Sequence, residues 1–264
     1  MADHSRFRQA LLGVVVSSVR VLKLFVVPAA RLKRVPDHVV VEGLLAGGHL
    51  GFGRDWHRLD LKTIFQEVLG YLKQEGLRIP VIPAGGIFTG TDAVAFMEEG
   101  AAPVQVATRF TVIRESGLLD EGKQGYFQAL VVDIDVNMQS SMGYPMRMLK
   151  DCPAMSRRVR PACEAYGYLL DSSGRCSYLE AYDQAAQNGG AEQLKKIEKM
   201  CLCTHMRRDQ CWTCGHTTSR LKETTRKNPD GTYQILSAEH VFRDDQFSTD
   251  HQVALPKEEA GLMP

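Results

Sequence analysis

An α/β fold is predicted for this chain: a partial (β/α)8 TIM barrel made of its last four strand-helix units, followed by a mostly helical or irregular C-terminal extension. Three observations predict it. Between Leu11 and Leu130, four short apolar runs alternate with amphipathic stretches, the pattern of a parallel sheet covered by helices. Two of those runs, Val81-Ile82-Pro83-Ala84-Gly85-Gly86-Ile87 and Val104-Gln105-Val106-Ala107-Thr108-Arg109-Phe110, end abruptly in small residues. Bare backbone N–H groups that open into a helix hold a phosphate without a dedicated side chain, and barrels of this class place that site after strands seven and eight.

The elements follow in order. Leu11 to Val16 is the first strand, ending at Ser17-Ser18, and Val19 to Leu32 is its helix, broken around Pro28. His38 to Glu42 is the second strand and runs into the glycine-rich Gly43 to Gly51. Leu61 to Gln74 has helical apolar spacing at Ile64, Phe65, Val68, Leu69 and Leu72, and Gly76 ends it. Pro80 to Pro83 is the third strand, and Thr91 or Asp92 caps the helix Ala93 to Glu99. Pro103 to Ala107 is the fourth strand, and Gly117 to Leu130 closes the last unit. From Val131 onward the alternation stops. Asp171-Ser172-Ser173-Gly174 and Asn228-Pro229-Asp230-Gly231 are turn signals, Ala181 to Met200 reads as a helix interrupted by Gly189-Gly190, and Phe247 to Pro264 is a polar tail.

These elements divide the chain into residues 1–150, half of a barrel, and residues 151–264, the extension. A half-barrel exposes its edges and its inner face. An upstream half, another chain (a second copy included) or the C-terminal region is therefore expected to cover the gap.

Composition narrows the function. With 264 residues and a net charge of +1, the chain has no general attraction for nucleic acid or anionic lipid. Arg20 and Lys23 interrupt the greasy stretch from Leu11 to Leu32, so a buried strand and an amphipathic helix are expected rather than a membrane span. Seven cysteines and no cleavable leader point to a reducing, cytoplasmic setting, where clustered thiols bind metal more often than they pair.

Glu42-Gly43-Leu44-Leu45-Ala46-Gly47-Gly48-His49-Leu50-Gly51, then Pro83-Ala84-Gly85-Gly86-Ile87, then Ala107-Thr108-Arg109-Phe110 carry the chemistry. In that order and at those intervals they resemble the nitronate monooxygenases, FMN-dependent (β/α)8 barrel enzymes. The resemblance covers Leu11 to about Lys150. It implies that Gly47 and Gly48 lie against the flavin. Ala84, Gly85 and Gly86 would line the FMN phosphate, with Ala107 and Thr108 completing the cradle. Glycine is the family's residue at the position of Ala107, so a methyl group is added there. His49 matches the family's active-site histidine. Ser140-Ser141-Met142-Gly143-Tyr144-Pro145-Met146-Arg147 follows the family's Gly-x-Pro-x-Arg stretch only loosely. The activity implied is oxidation of nitronates or nitroalkanes with O2 to a carbonyl compound and nitrite.

Elementary chemistry supports part of this. An imidazole titrates near neutrality and can take the proton of an acidic carbon or orient a nitronate. The flavin would supply the redox chemistry while protein supplies position and electrostatics. Arg109 has two readings, a phosphate support and a structural ion-pair partner.

Cys201-Leu202-Cys203 and Cys211-Trp212-Thr213-Cys214 form a second constellation. Two thiol pairs across a short loop can converge on one tetrahedral ion, so Cys201, Cys203, Cys211 and Cys214 are candidate ligands for zinc or an iron–sulfur cluster. His205 and His216 stand beside them, and reduced, partly buried thiols are the alternative. Cys152, Cys163 and Cys176 are too widely spaced to assign. Lys195, Lys196, Lys199, Arg207 and Arg208 make the neighbourhood basic, which fits a solvated helix face better than a nucleic-acid surface. Two other functions remain open. One is an FMN-dependent enoyl reductase, which would consume NADH. The other is a truncated, non-catalytic metal-binding or interaction module.

Overall fold

The computed structural model describes residues 9–138 apart from 54 and 59, then 144–151, 161–162, 184, 187–188, 200–201 and 212–256. The first half is organised by a parallel sheet of β1 (Gly13–Val16), β2 (His38–Glu42) and, with β3 (Gly48–His49) lying in a second sheet, β4 (Val81–Ala84), in the order β1-β2-β4. Sequential strands lie side by side in register, with Val14 opposite Val39 and Val41 opposite Pro83. The fourth expected strand, Pro103 to Ala107, contributes only one parallel bridge, from Ala84 to Gln105. The described residues thus form an open α/β sheet.

Helix α1 (Val19–Arg31) starts at Ser18, whose hydroxyl accepts from the Val21 amide at 3.3 Å. Contrary to the expected break, the helix runs through Pro28. The carbonyl that a proline leaves without an amide partner belongs to Leu24, and both residues are on the exposed face, open to solvent. Helix α2 (Leu61–Gln74) buries Ile64, Phe65, Val68 and Leu72 of the residues its apolar spacing singles out, while Leu69 is only partly buried. These pack with Leu22, Val26, Val39, Val41 and Val81 in one core, and Phe65 meets Phe96 edge to face at 5.6 Å.

Helix α3 (Gly90–Glu98) is capped one turn earlier than the sequence suggests. Thr89 is the N-cap and Asp92 is the third helical residue. The Asp92 carboxylate accepts from the amides of Phe88 and Thr89, both at 3.0 Å, the reciprocal half of a capping box. The short α4 (Thr108–Thr111) and α5 (Asp120–Gln128) follow.

The strands after Val131 were not anticipated. β5 (Ile134–Asn137) and β6 (Met146–Leu149) pair antiparallel, and β6 also pairs with β3. A bridge from Met148 to Thr213 brings the C-terminal segment to this second sheet. That segment continues as a 3₁₀ helix, His216–Thr224, and later as α6 (Ala238–Asp244). Met146, Met148, Phe127, Cys214 and Leu221 share a second core beside it, so residues 212–225 are packed against the first 150. Further strands, β7 (Pro161–Ala162) and β8 (Met200–Cys201), pair parallel. The expected features between Cys152 and Cys211, including most of the helix Ala181 to Met200 and the Asp171 turn, otherwise lie outside the described residues, as do Ser140 to Gly143. Among the described residues no helix is long and apolar enough to cross a membrane.

Candidate active site

The C-terminal ends of the parallel strands open into a cavity of about 270 Å³. Gly85 and Gly86 form one wall, directly after β4, with φ of +91° and +96°. Only glycine holds those angles without strain, so the peptide plane is turned here in a way no other residue would allow. A side chain at Gly85 would also strike Ala46, and one at Gly86 would strike Leu45, at 2.9 and 3.0 Å. The loop 43–47 and the loop after β4 therefore touch backbone to backbone.

Ala107 and Thr108 form the next wall at the start of α4. The C-terminal segment supplies the wall opposite the strands, through Thr213, Cys214, Gly215, Thr217 and Thr218. The Thr108 and Thr217 hydroxyls lie 2.7 Å apart. Tyr126 Oη donates to the Thr213 carbonyl at 2.7 Å, and the His216 amide donates to the Leu45 carbonyl at 3.1 Å. These bonds fix the cover on the cavity.

Gly47 lines the cavity and also meets a constraint within the chain. A Cβ there would lie 2.5 Å from the carbonyl carbon of Cys214 and 2.6 Å from the nitrogen of Gly215. The close neighbour is this chain's own C-terminal segment. Behind the loop, Arg147 on β6 is 3% exposed and donates through Nη1 to the carbonyls of Leu44 and Ala46, at 2.5 and 2.6 Å. Burial pulls its pKa down, against the pull of Cys214 and Glu42 nearby. Glu42 also lines the cavity, accepts from the Gly51 amide at 2.6 Å, and has its carboxyl pKa pushed up by burial.

Of the residues singled out by sequence as cofactor-binding, Gly47, Ala84, Gly85, Gly86, Ala107 and Thr108 line this one cavity. Gly48 and His49 do not. His49 is exposed on β3, opposite Met146, and partial burial holds its pKa below the ordinary 6.5. Of the two readings of Arg109, the geometry supplies the ion pair: its Nη2 is 2.5 Å from Asp244 Oδ2, with both side chains buried. Glu42, Arg147, Tyr126 and the threonines of the cover were missed. Arginine inside the apolar run Met146 to Leu149 was the available signal for Arg147, since a charge there must be paired.

The expected metal ligands are not brought together among the described residues, where no cluster of three or more His, Cys, Asp or Glu side chains occurs. Cys203, Cys211 and the Cys201 side chain lie outside them. Cys214 is buried in the second core and in the cavity wall.

Comparison with known proteins decides the family: its model, described as nitronate monooxygenase, matches residues 3–194. The chain belongs to the nitronate monooxygenase family. The match runs past Lys150, into the region that the motifs alone left as an extension. Among relatives, a nitronate monooxygenase of Pseudomonas aeruginosa is 32% identical over 145 residues, which are 52% of this chain and 39% of that protein. A (3aS,4S,5R,7aS)-5-hydroxy-7a-methyl-1-oxo-octahydro-1H-indene-4-carboxyl-CoA dehydrogenase of Rhodococcus jostii is also 32% identical, over 43% of this chain and 29% of its own length. The chain thus spans well under half the length of these relatives. Among solved structures, FabK from Thermotoga maritima is similar with a TM-score of 0.51 at 19% identity, covering 88% of this chain and 58% of that one. That likeness concerns the fold alone.

Proposed function

We propose that this chain is an FMN-dependent oxidoreductase of the nitronate monooxygenase type, acting with O2 on nitronates or nitroalkanes to yield a carbonyl compound and nitrite. One observation carries the reading: the glycine pair after β4 and the Ala107-Thr108 turn, separate in sequence, line a single cavity. The donor set fits the phosphate end of FMN. It offers backbone turned by positive φ at Gly85 and Gly86 and hydroxyls at Thr108, Thr217 and Thr218, while Val15, Val40, Leu45 and Ile87 give apolar surface for a ring. FMN, when bound, supplies the electron transfer.

The chain's own residues do the rest. Gly85, Gly86, Ala107 and Thr108 hold the phosphate, and residues 213–218 keep water from that side of the cavity. His49, exposed on the strand that follows Gly47 and outside the lining of the cavity, matches the family's histidine and on that resemblance is the proposed acceptor of the proton of the substrate's acidic carbon. Its lowered pKa leaves it in the basic form at neutral pH, the form a proton acceptor needs.

The test combines spectroscopy with turnover. Titration of the purified chain with FMN is expected to quench flavin fluorescence, and ethylnitronate under air to consume oxygen and release nitrite. His49→Asn is expected to lower the rate on neutral nitroethane by about 10²-fold or more while affecting the preformed nitronate far less. Absence of FMN binding would refute the reading. NADH oxidation with an enoyl thioester, without nitrite formation, would replace it with the FMN-dependent enoyl reductase reading.

A further inference from the structure

Beside the cavity, the ends of two strands close on one residue of the loop that follows them. Val16 opposes Val41 in the parallel pair, so Ser17 and Glu42, the next residues along, end β1 and β2 side by side. The Glu42 carboxylate accepts from the Gly51 amide at 2.6 Å, and the Ser17 hydroxyl donates to the Gly51 carbonyl. Gly51 is thus held by both of its backbone groups. A Cβ there would lie 2.7 Å from Glu42 Oε2, so any side chain at this position displaces the carboxylate.

What the clasp holds is the short segment that carries His49. Gly48 and His49 pair with Arg147 and Met146 on β6, the Leu50 amide donates to the Pro145 carbonyl at 2.8 Å, and Leu50 is fully buried. At Gly51 the anchorage passes from β6 to Ser17 and Glu42. His49 therefore projects from backbone tied down on both sides. Proton transfer demands that precision, since a displacement of about 1 Å can cost on the order of 10²-fold in rate.

We propose that Ser17 and Glu42 are positioning residues for His49: by clasping Gly51 they fix the backbone from which the imidazole meets the substrate. This deepens the reading of His49 as the proton acceptor and rests on it for its function, whereas the clasp stands on geometry alone.

Three variants of the intact chain test it. Glu42→Ala removes the acceptor, Gly51→Ala pushes the carboxylate off the amide without removing it, and Glu42→Gln gives up the charge but keeps an oxygen that can accept. With FMN bound, Glu42→Ala and Gly51→Ala are each expected to lower kcat on neutral nitroethane about tenfold, with KM little changed and ethylnitronate, which needs no proton removed, far less affected. Glu42→Gln is expected to restore kcat. The second readout needs no flavin: an NMR titration of the His49 ring, assigned by its loss in His49→Asn. Wild type is expected to titrate below the ordinary 6.5, because partial burial lowers the pKa. The midpoint should move up toward that value in Glu42→Ala and Gly51→Ala and return in Glu42→Gln. A clasp that served stability alone would lower the Tm and leave the His49 midpoint in place, which would overturn the proposal. A loss of kcat in Glu42→Gln equal to that in Glu42→Ala would overturn it too, since the effect would then belong to the charge. If wild type binds no flavin or forms no nitrite, the proton-acceptor reading fails and the titration decides alone: a midpoint that moves upholds the positioning of His49, and one that stays overturns it.

Discussion

Asp244→Ala is the substitution whose consequence the structure specifies best. Arg109 is 3% exposed, and among the described residues its Nε and Nη1 have no hydrogen-bond partner. Among those residues the guanidinium therefore relies on the 2.5 Å contact between Nη2 and Asp244 Oδ2. Asp244 also accepts from the Ala254 amide at 2.8 Å and lies 3.6 Å from His251 Nε2. Removing the carboxylate leaves a buried, uncompensated cation, which costs about 3–5 kcal/mol. For a chain of this size that corresponds to a fall in Tm of roughly 6–20 °C. Urea unfolding at pH 7, followed by circular dichroism with a thermal melt alongside, measures both. The companion variant Arg109→Met with Asp244→Leu removes charge and countercharge together and is expected within about 1–2 kcal/mol of wild type, because buried pairs replaced by apolar residues are often neutral. A loss under 1 kcal/mol for Asp244→Ala, at an unchanged m-value, would refute the reasoning, since it would mean that water already reaches Arg109.

Gly47→Val is expected to unseat the C-terminal segment, because its side chain would overlap the Cys214 backbone; proteolysis within residues 212–225 should accelerate and FMN binding should weaken. Arg147→Lys is expected to cost about 1–3 kcal/mol, measured by chemical denaturation, since a single ammonium on a flexible stem does not reproduce the pair of bonds to Leu44 and Ala46. The His216 pKa lies below its ordinary 6.5 through burial first and the Arg147 charge second. The unfolded chain thus binds that proton more tightly than the folded one, and stability present above pH 6.5 is lost as pH falls through the folded pKa. His216→Asn should flatten the drop in unfolding free energy between pH 7 and pH 5.5. Glu42 acts with the opposite sign: its carboxyl pKa is raised above 4.5, so its contribution is full below that value and fades as pH rises. Glu42→Gln should remove that loss, seen as a smaller fall in stability between pH 4.5 and pH 6.5.

What the sequence reveals here is what local physics determines. The apolar runs of β2 and β4 and the spacing of Ile64, Phe65, Val68 and Leu72 on α2 are fixed by burial on a period, and they are legible without a partner in view. Gly85 and Gly86 are legible because a glycine pair ending an apolar run requires a special backbone. Contacts chosen at long range were not legible. Gly47 looks the same whether a ligand or the Cys214 backbone approaches it, and Arg109 has its role settled by Asp244, 135 positions later. β5 and β6 escaped notice because four-residue strands of mixed character carry no clear alternation. The cysteine spacing drew attention to residues 201–214, and within the described part of that region Cys214 is buried in the second core and the cavity wall. The open parallel sheet alone would leave the ends of β2 and β4 exposed to water, and hydrogen bonds made there weaken when solvent competes for the same donors. The packing of Cys214 and Gly215 onto Gly47 closes one side of that opening. The glycine motif and the C-terminal segment therefore depend on each other: without the glycine the cover cannot seat, and without the cover the strand-end backbone faces solvent.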